Sequence, residues 1–374
     1  MTLLPPTLQQ IDRTHVLCGG RSLLYFSGCD YLRLATDKTI LRAIQSAIKH
    51  FGCNVSASRV TTGNHPLYLE LESRLALFFG FPSATLVSSG YAANLIAVQA
   101  LSGLCERVVI DDKAHSSLRL ASKLLGVPCV SFAHLDHRDF ENQMRDRKGV
   151  GTTLVLTDGV FSFSGAVPAL HRYAECLREG DILLVDDAHG AGTLGDRGRG
   201  VLDSKPKLPG NSLTLTTTLS KSFGVYGGAI LSSLLIQKRI HAHSHFFAGN
   251  TPLPLPMAAG ALAALQVLDS RGGLLRQHLT ANVSRVRTAL QKEGLRVPNN
   301  PGPLIGLVPK SKPASVQFKK SLLASAIYPP LVIYPGGPAG GYYRFAFSSE
   351  HTFKQLDTLA SVILRHKNGL DPIL

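Results

Sequence analysis

The chain has 374 residues, 44% hydrophobic and 17% charged, a composition typical of a packed globular protein that excludes a largely disordered one. Its formal net charge is +14, but the basic residues are scattered and no aromatic stripe alternates with them, so nucleic acid is not an expected partner. The first residues lack the pattern of a signal peptide, and no apolar run approaches the length of a membrane span. We therefore expect a cytoplasmic protein with no membrane segment. The six widely spaced cysteines include no C-x-x-C pair and predict neither a metal site nor a disulfide framework.

Helix-like and strand-like patterns alternate through the first two thirds of the chain. Residues 66–80 have helical periodicity that ends at Gly80, and residues 85–103 read as a strand, a tight turn and a helix. Short aliphatic runs bounded by turn residues predict six further strands, in RVVIDD, VPCVSF, TTLVLTDG, DILLVDDAH, SLTLTTTLS and GGAILSS. This alternation predicts an α/β fold whose central sheet is mainly parallel, with helices on both faces and ligands at the carboxyl ends of the strands.

The pattern changes near residue 250. The proline-broken connector NTPLPLP precedes two predicted long helices, in ALAALQVL and NVSRVRTALQKEGL. The runs PLIGLVP, LVIYP and YYRFAFS predict strands of a second, smaller sheet, and HTFKQLDTLASVILRHK predicts a closing helix. Because 374 residues is long for one core, we predict an N-terminal arm (1–40), a large cofactor-binding domain (41–255) and a small C-terminal α+β domain (256–374) with which the arm is associated.

A lysine follows one of the predicted strands, in TTTLSKSFG (216–224). Lys221 lies among Thr218, Ser220, Ser222 and Gly224. Hydroxyls can donate to phosphate, and glycine lets the backbone approach an anion closely. A lysine beside a phosphate cradle is either a charge partner or a lysine that forms a Schiff base.

A carboxylate and an imidazole follow another predicted strand, in VDDAH. Asp186 ends that strand and His189 comes three residues later. Either residue alone fits a turn, but together with Lys221 they suggest a pyridoxal phosphate site. That cofactor needs a lysine for covalent attachment, a carboxylate at the pyridinium nitrogen and donors around its phosphate.

Other strand ends supply the remaining parts of such a site. Ser89, Gly90 and Tyr91 lie at a strand-to-helix turn, where free backbone N–H groups suit a phosphate. His115 and Ser162 each follow a strand and could contact the cofactor ring.

A competing interpretation reads Gly190, Gly192 and Gly195 as the G-x-G-x-x-G loop of a dinucleotide-binding oxidoreductase. Such a loop should open a helix and be followed about 20 residues later by an acidic residue. The residues after Gly195 are rich in glycine and proline, and no acidic residue occurs from 204 to 220. The sequence therefore disfavours a dinucleotide site.

The chain resembles the α-oxoamine synthases, a family of fold type I pyridoxal phosphate enzymes, from about residue 22 to 365. The motifs that carry the resemblance are CDYL, SSGYAAN, DKAHSSL, TDGVFSFSG, VDDAHGAGTLGDRGRG, TLSKSFG and YRFAFSSEH. The resemblance implies a homodimer and four catalytic residues: Lys221, which would hold the cofactor and remove the substrate Cα proton; Asp186, at the pyridinium nitrogen; His189, at the ring oxygen; and His115, stacked on the ring.

The resemblance also implies contacts to the phosphate and to the substrate. The cofactor-binding set would be completed by Ser89, Gly90, Tyr91, Ser162, Thr218 and Ser220. Arg344 would bind the amino-acid carboxylate, with Cys29 and Ser162 near it. Cys29 departs from the family's usual asparagine, and further departures in the same substrate region are Ser164, Ala166, Tyr328 and Leu331. Asp158 replaces a usual glutamate and Tyr68 a usual histidine.

Members of the family condense an amino acid with an acyl thioester and release carbon dioxide. Of their activities we expect that of the 8-amino-7-oxononanoate synthases, which join L-alanine to a pimeloyl group carried by coenzyme A or a carrier protein. The alternatives are 2-amino-3-ketobutyrate CoA ligase, another family member with a changed substrate, and a non-catalytic homologue that keeps the cofactor.

Overall fold

The computed structural model describes residues 4–147, 149, 151–203, 212–333, 337–338 and 340–373. The chain forms two compact units. The smaller comprises Met1–Arg33, Ser162–Ala166 and Leu274–Leu374, and the larger comprises Leu34–Phe161 and Val167–Gly273. The domain boundaries after residues 40 and 255 stay predictions.

A small antiparallel sheet opens the chain. Its strands are β1 (Gln9–Gln10), β2 (His15–Cys18) and β3 (Arg21–Leu24). Gly19 and Gly20 join β2 to β3 with φ values of +54° and +75°, the left-handed conformation that a two-residue hairpin turn requires. The sequence patterns did not predict this sheet.

The larger unit is built around a seven-stranded sheet. The strands are β4 (Ser83–Val87), β5 (Arg107–Asp111), β6 (Cys129–Phe132), β7 (Thr153–Asp158), β8 (Ile182–Asp186), β9 (Leu213–Thr218) and β10 (Gly228–Ser232). Their order is β4-β10-β9-β8-β7-β5-β6, and β10 alone runs against its neighbours. Every aliphatic run predicted to be a strand in this part of the chain is one, and the mainly parallel sheet is confirmed.

Helices connect the strands of the larger unit. They are α1 (Lys38–Phe51), α2 (Pro66–Phe79), α3 (Gly90–Ala100), α4 (Ser116–Ser122), α5 (His137–Arg145), α6 (Leu170–Glu175), α7 (Leu234–His243) and α8 (His245–Ala248). The predicted helix end at Gly80 is confirmed, because Gly80 caps α2 with a left-handed backbone at φ +67°. No helix among the described residues is both long enough and apolar enough to cross a membrane.

The two segments predicted to be helical near the start of the C-terminal part are helical, but they belong to one helix and not to two. This 38-residue helix, α9 (Leu255–Lys292), includes residues 261–268 and 282–292 and also Gly272 and Gly273, and it ends before Glu293, Gly294 and Leu295 of the second predicted segment. Glycine inside a helix costs about 1 kcal/mol relative to alanine. Burial of apolar side chains on both sides of the glycines, such as Leu268 and Leu279, offsets that cost.

The C-terminal part of the smaller unit is a second antiparallel sheet with two helices. Its elements are β11 (Leu304–Pro309), α10 (Lys312–Ala324), β12 (Leu331–Val332), β13 (Tyr342–Ala346), α11 (Phe353–Arg365) and β14 (Leu370–Pro372), with the strands in the order β12-β13-β11-β14. The second small sheet and its closing helix are as predicted, and β14 is an additional strand. Residues 334 and 335 of the LVIYP run lie outside the described residues.

A hydrophobic cluster fixes the central strands against α3. It includes Ala93, Ile96, Ala97 and Ala100 of the helix and Val108, Ile110, Leu154, Leu156, Ile182 and Leu184 of the sheet. These side chains are buried, and closely packed interiors hold their residues in single positions. The strand ends are therefore a rigid base for a site.

Candidate active site

Six strands of the seven-stranded sheet point the same way, so their carboxyl ends share one edge. Asp158, Asp186 and Thr218 are the last residues of β7, β8 and β9, and Asp158 is the register partner of Asp186. The predicted residues Ser89, His115 and Lys221 follow the ends of β4, β5 and β9 within four residues. The larger unit thus brings together the cofactor residues predicted in it at one edge of the sheet.

The Asp186 carboxylate is buried and held by two donors. Its Oδ2 accepts from Asn94 Nδ2 at 2.6 Å, and its Oδ1 accepts from the backbone N–H of Ala188 at 3.1 Å. The side chain is only 7% exposed. Two fixed donors orient this carboxylate, so the arrangement suits a group that pairs with a cation.

His115 is fixed from both its backbone and its ring. Its N–H donates to Asp158 Oδ2 at 2.8 Å, and its Nδ1 lies 2.7 Å from Ser117 Oγ and accepts from the Ser117 N–H as the N-cap of α4. Burial lowers the pKa of His115, the Asp186 carboxylate opposes this shift and Lys221 adds to it. His115 is therefore neutral at neutral pH, in keeping with a ring that stacks rather than forms an ion pair.

Two further aspartates lie close to Asp186. Burial raises the pKa of Asp158 well above its usual value, and the Asp186 charge adds to the effect. Burial also raises the pKa of Asp187, while the backbone N–H of Val201 donates to its carboxyl at 3.0 Å and opposes the shift. Lys221 lowers the pKa of both Asp158 and Asp187, which places its charge in the same neighbourhood.

The glycines after β8 enclose Asp187 instead of opening a helix. A Cβ on Gly190 or Gly200 would overlap the Asp187 carboxyl, and a Cβ on Gly192 would lie 2.7 Å from the Ser222 Cβ. Residues 187–199 form turns and bends, followed only by a three-residue 3-10 helix at Gly200–Leu202. The structure therefore excludes a dinucleotide loop here, because such a loop places its anion at the start of a helix.

A close backbone approach forms the beginning of α3. Ser89 caps this helix by accepting from the Ala92 N–H at 3.1 Å, and a Cβ on Gly90 would lie 2.7 Å from the Thr218 Cβ. The first N–H groups of a helix have no intrahelical acceptor and face outward, where they can bind an anion. The Thr218 hydroxyl donates to the Gly227 carbonyl and accepts from the Ser220 N–H, both at 3.1 Å, so its own proton is already used.

The remaining predicted residues of the larger unit lie in loops around this edge. Lys221 is half-buried in the segment between β9 and β10, His189 is 6% exposed in the turn after Asp186, and Ser220 and Tyr91 are exposed. The ring of Tyr91 meets that of His115 edge-on, with 6.3 Å between their centroids.

The predicted substrate residues belong to the smaller unit. Arg344 lies on β13, half-buried, and its buried Nε has no hydrogen-bond partner among the described residues. Burial opposes the Arg344 charge, but the Cys29 thiol and Tyr31, with Tyr342 and Tyr25, hold its pKa above its usual value.

Ser162 is half-buried in the short segment Ser162–Ala166, which is also assigned to the smaller unit. The roles of Ser162, Arg344 and Cys29 stay predictions.

Asn94, Ser117 and Thr216 were missed by the sequence reasoning. The Asn94 amide contacts Asp186, Ser117 and Thr216, and its side chain is fully buried. One signal was available, because an asparagine in the otherwise apolar helix AANLIAVQA must find buried partners.

The residues at this edge fit pyridoxal phosphate. They provide a half-buried amine (Lys221), a carboxylate held by donors (Asp186), a neutral imidazole (His115), and a helix start at Gly90 that lies against Thr218 with no room for a side chain. These are the groups that the cofactor's aldehyde, ring nitrogen, ring face and phosphate need.

Comparisons with known proteins support the same assignment. Residues 22–363 match the sequence family described as aminotransferase class I and II. A putative 8-amino-7-oxononanoate synthase of Desulforudis audaxviator is 32% identical over 352 residues, which cover 94% of this chain and 91% of that protein. An 8-amino-7-oxononanoate synthase of Beijerinckia indica is 34% identical over 357 residues, which cover 94% of this chain and 90% of that protein.

Solved structures share the fold at lower sequence identity. Serine palmitoyltransferase from S. paucimobilis has a TM-score of 0.89 at 23% identity and covers 97% of this chain and 92% of its own. The 8-amino-7-oxononanoate synthase of Francisella tularensis has a TM-score of 0.80 at 23% identity and covers 92% of this chain and 98% of its own. These likenesses confirm the fold type I architecture.

The family match over most of the chain, together with the relatives above 30% identity, confirms the predicted family, enzyme class and cofactor. The chain belongs to the aminotransferase class I and II family and, within it, to the α-oxoamine synthases, which are pyridoxal-phosphate-dependent acyltransferases.

Proposed function

We propose that this protein condenses L-alanine with a pimeloyl thioester, with loss of carbon dioxide, to give 8-amino-7-oxononanoate and a free thiol carrier. The observation that carries the proposal is the set of Lys221, Asp186 and His115 at one edge of the sheet. Support for this choice of substrates comes from relatives of 29–34% identity named 8-amino-7-oxononanoate synthase, which match over at least 92% of this chain.

We propose the following contacts to the cofactor, which the positions of these side chains near one edge of the sheet support. Lys221 Nζ would hold the cofactor, Asp186 would accept from its protonated ring nitrogen and His115 would cover a ring face. His189 would hydrogen-bond the ring oxygen. The phosphate would be bound at the start of α3 by Ser89, Gly90 and Tyr91, with Ser220 near it. Thr218, whose own proton goes to the Gly227 carbonyl, would line this site without donating to the phosphate.

The bound cofactor supplies an electron-withdrawing ring that stabilises negative charge at the substrate Cα. Lys221 Nζ would be released when the amino group of the substrate takes its place, and as a free amine it would take the Cα proton. Asp186 would keep the ring nitrogen protonated and His189 would hydrogen-bond the ring oxygen. The overall reaction forms a bond between Cα and the acyl carbonyl carbon, breaks the thioester bond to release the thiol, and breaks the bond from Cα to the carboxylate to release carbon dioxide, after which a proton returns to Cα.

Arg344 is the proposed group for the amino-acid carboxylate. A guanidinium pairs with a carboxylate through two parallel hydrogen bonds, and the buried Nε of Arg344 has no partner among the described residues. We propose Cys29 and Ser162 as neighbours of the same substrate, and we further propose a homodimer in the cytoplasm.

The decisive experiment is a matrix of amino acids against acyl thioesters. L-alanine, glycine and L-serine are each combined with pimeloyl-CoA, pimeloyl carrier protein, acetyl-CoA and palmitoyl-CoA, and both thiol release and the aminoketone mass are measured. The proposal expects the highest kcat/KM for L-alanine with a pimeloyl thioester, and Lys221→Ala should form no product above background. Lys310→Ala, at a half-exposed lysine of the smaller unit, is the matched control and should keep full activity.

Other outcomes of the matrix overturn the proposal in distinct ways. Preference for glycine with acetyl-CoA would assign 2-amino-3-ketobutyrate formation, and preference for serine with palmitoyl-CoA would assign a palmitoyltransferase. Cofactor bound at Lys221 with no product from any pair would indicate a non-catalytic homologue. A monomer by light scattering in the presence of the cofactor would contradict the homodimer.

A further inference from the structure

Asn94 joins three elements of the larger unit through one buried amide. From α3, its Nδ2 donates to Asp186 Oδ2 at 2.6 Å and to Ser117 Oγ at 2.8 Å, while its Oδ1 accepts from Thr216 Oγ1 at 2.5 Å. The side chain is fully buried, so every one of these bonds replaces one that water could have made. Both N–H groups of the amide are thus used, one on a carboxylate and one on a hydroxyl.

The chemistry of the partners fixes the direction of every bond in this network. An ionised carboxylate can only accept, so the amide nitrogen of Asn94 must face Asp186. The Ser117 oxygen accepts a hydrogen bond from Asn94, so the Ser117 hydroxyl can donate its own hydrogen bond to His115 Nδ1, which lies 2.7 Å away. The Ser117 N–H also points at that nitrogen, at 3.3 Å. His115 Nδ1 is consequently an acceptor, and the neutral ring carries its proton on Nε2.

The network therefore connects two groups to which the proposed function gives separate tasks. Asp186 needs a fixed carboxylate orientation to meet a ring nitrogen, and His115 needs a fixed ring plane and a neutral tautomer. Partners behind a functional side chain commonly set its orientation and proton position in this way.

We propose that Asn94 is a positioning residue that couples the carboxylate of Asp186 to the imidazole of His115 through Ser117. This role rests on the proposed function. In it, Asn94 is the group that holds the Asp186 carboxylate and the His115 imidazole in a fixed arrangement. Asn94 itself touches neither substrate nor the reacting atoms.

The test measures the apo protein and the cofactor complex separately. In apo protein, ¹⁵N NMR of the histidine rings reports the tautomer of His115, which is assigned by its loss in His115→Gln. Wild-type His115 should be in the Nε2–H form. In Asn94→Ala the Nδ1–H share should rise, and the dissociation constant for pyridoxal phosphate should increase by about tenfold or more, as expected for loss of a hydrogen bond to a charged group.

Two further variants separate positioning from simple packing. Asn282→Ala removes another buried asparagine, whose Nδ2 donates to the Ser348 and His351 carbonyls at 2.9 Å, and it should lower stability without changing the His115 tautomer or cofactor affinity. Ser117→Ala removes the hydroxyl but keeps the Ser117 N–H near His115 Nδ1, so the Nδ1–H share should rise only in part. Cofactor affinity should stay within about threefold of wild type, since Asn94 still holds Asp186. Ser117→Ala also supplies the tautomer test if Asn94→Ala does not fold.

The outcomes distinguish this inference from the proposed function. An Nδ1–H form in wild type, or an Asn94→Ala protein with wild-type tautomer and cofactor affinity, overturns the role of Asn94. If Asn94→Ala does not fold, an unchanged tautomer in Ser117→Ala overturns the coupling. If the activity matrix does not favour L-alanine with a pimeloyl thioester, but the His115 tautomer is as expected in wild type and in Asn94→Ala, the proposed function alone is overturned.

Discussion

The larger and smaller units hold their buried ionisable side chains in opposite ways. In the larger unit the carboxylates of Asp158, Asp186 and Asp187 all accept hydrogen bonds from groups of the same unit. In the smaller unit Arg344 is surrounded by a thiol and phenols, and no carboxylate among the described residues forms an ion pair with it.

This difference follows from what each region would bind. A rigid carboxylate held by donors is prepared for a cationic group that stays in place, which fits a permanently bound cofactor. An arginine without a protein anion keeps its capacity for an anionic ligand that enters and leaves, which fits a substrate carboxylate. The predictions below test each side of the contrast.

Among the tests of this contrast, the largest effect is expected at Arg344. Replacing it with alanine removes a bidentate pair with the substrate carboxylate and should lower kcat/KM for the amino acid by about 100-fold. Arg344→Lys keeps the charge without the fork geometry and should recover only part of the loss. Steady-state kinetics with the amino acid varied gives both values. The affinity of the Arg344 variants for pyridoxal phosphate should stay within about threefold of wild type. A large loss of that affinity would contradict the assignment of Arg344 to the substrate and not to the cofactor.

The next effect concerns acid stability in the smaller unit. Burial lowers the pKa of His351 to about 3, and Arg33 adds to the shift, while the ring stacks on Phe26 and donates to the Tyr25 carbonyl. In the unfolded chain His351 is protonated below about pH 6.5, whereas in the folded chain it is protonated only near pH 3. Stability is therefore lost as pH falls, by about 2 kcal/mol between pH 7 and pH 5.

Urea denaturation at the two pH values measures this loss. His351→Gln should be less stable than wild type at pH 7 but should lose less stability on acidification. His50→Gln, at an exposed histidine, is the control and should show the same pH dependence of stability as wild type. An unchanged slope in His351→Gln would refute the assignment.

The larger unit should respond to pH in the opposite sense. Burial raises the pKa of Asp158, with Asp186 and Asp111 adding to the shift and His115 and Lys221 opposing it. The folded state therefore keeps a proton that the unfolded state has released, so stability is lost as pH rises above 3.8 and through the folded pKa. Asp158→Asn should reduce the fall in unfolding free energy between pH 5 and pH 8. Asp146→Asn, at an exposed position, should leave that fall unchanged.

The sequence best predicted the positions of candidate residues that lie near strand ends. Lys221 and Asp186 could be placed at one edge of the sheet because each lies at or just after the end of an aliphatic run, and that end has a known direction in a parallel sheet. Asn94 could not be placed, because its partners Ser117, Asp186 and Thr216 lie 23, 92 and 122 residues away along the chain. Long-range contacts of this kind leave no local periodicity.

The same limit applies to the fold. The periodicity of α9 was visible on both sides of Gly272 and Gly273, but whether the helix continues through them depends on what it packs against. The strands β1, β2 and β3 are two to four residues long, too short for an alternating pattern to be recognised.

The smallest effect is expected at Cys29, which we propose as a neighbour of the substrate. Its thiol hydrogen-bonds with Tyr31 and raises the pKa of Arg344, so it lies beside the proposed carboxylate site. Cys29→Asn adds an amide donor and should lower KM for L-alanine by about three- to tenfold, the worth of one hydrogen bond, with little change in kcat. Cys53→Asn, at an exposed thiol, should change neither constant. A higher KM for alanine with a lower one for glycine or serine would mean that Cys29 belongs to a pocket selected for a different side chain. The carboxylate contact of Arg344 would survive that result, whereas alanine as the substrate would not.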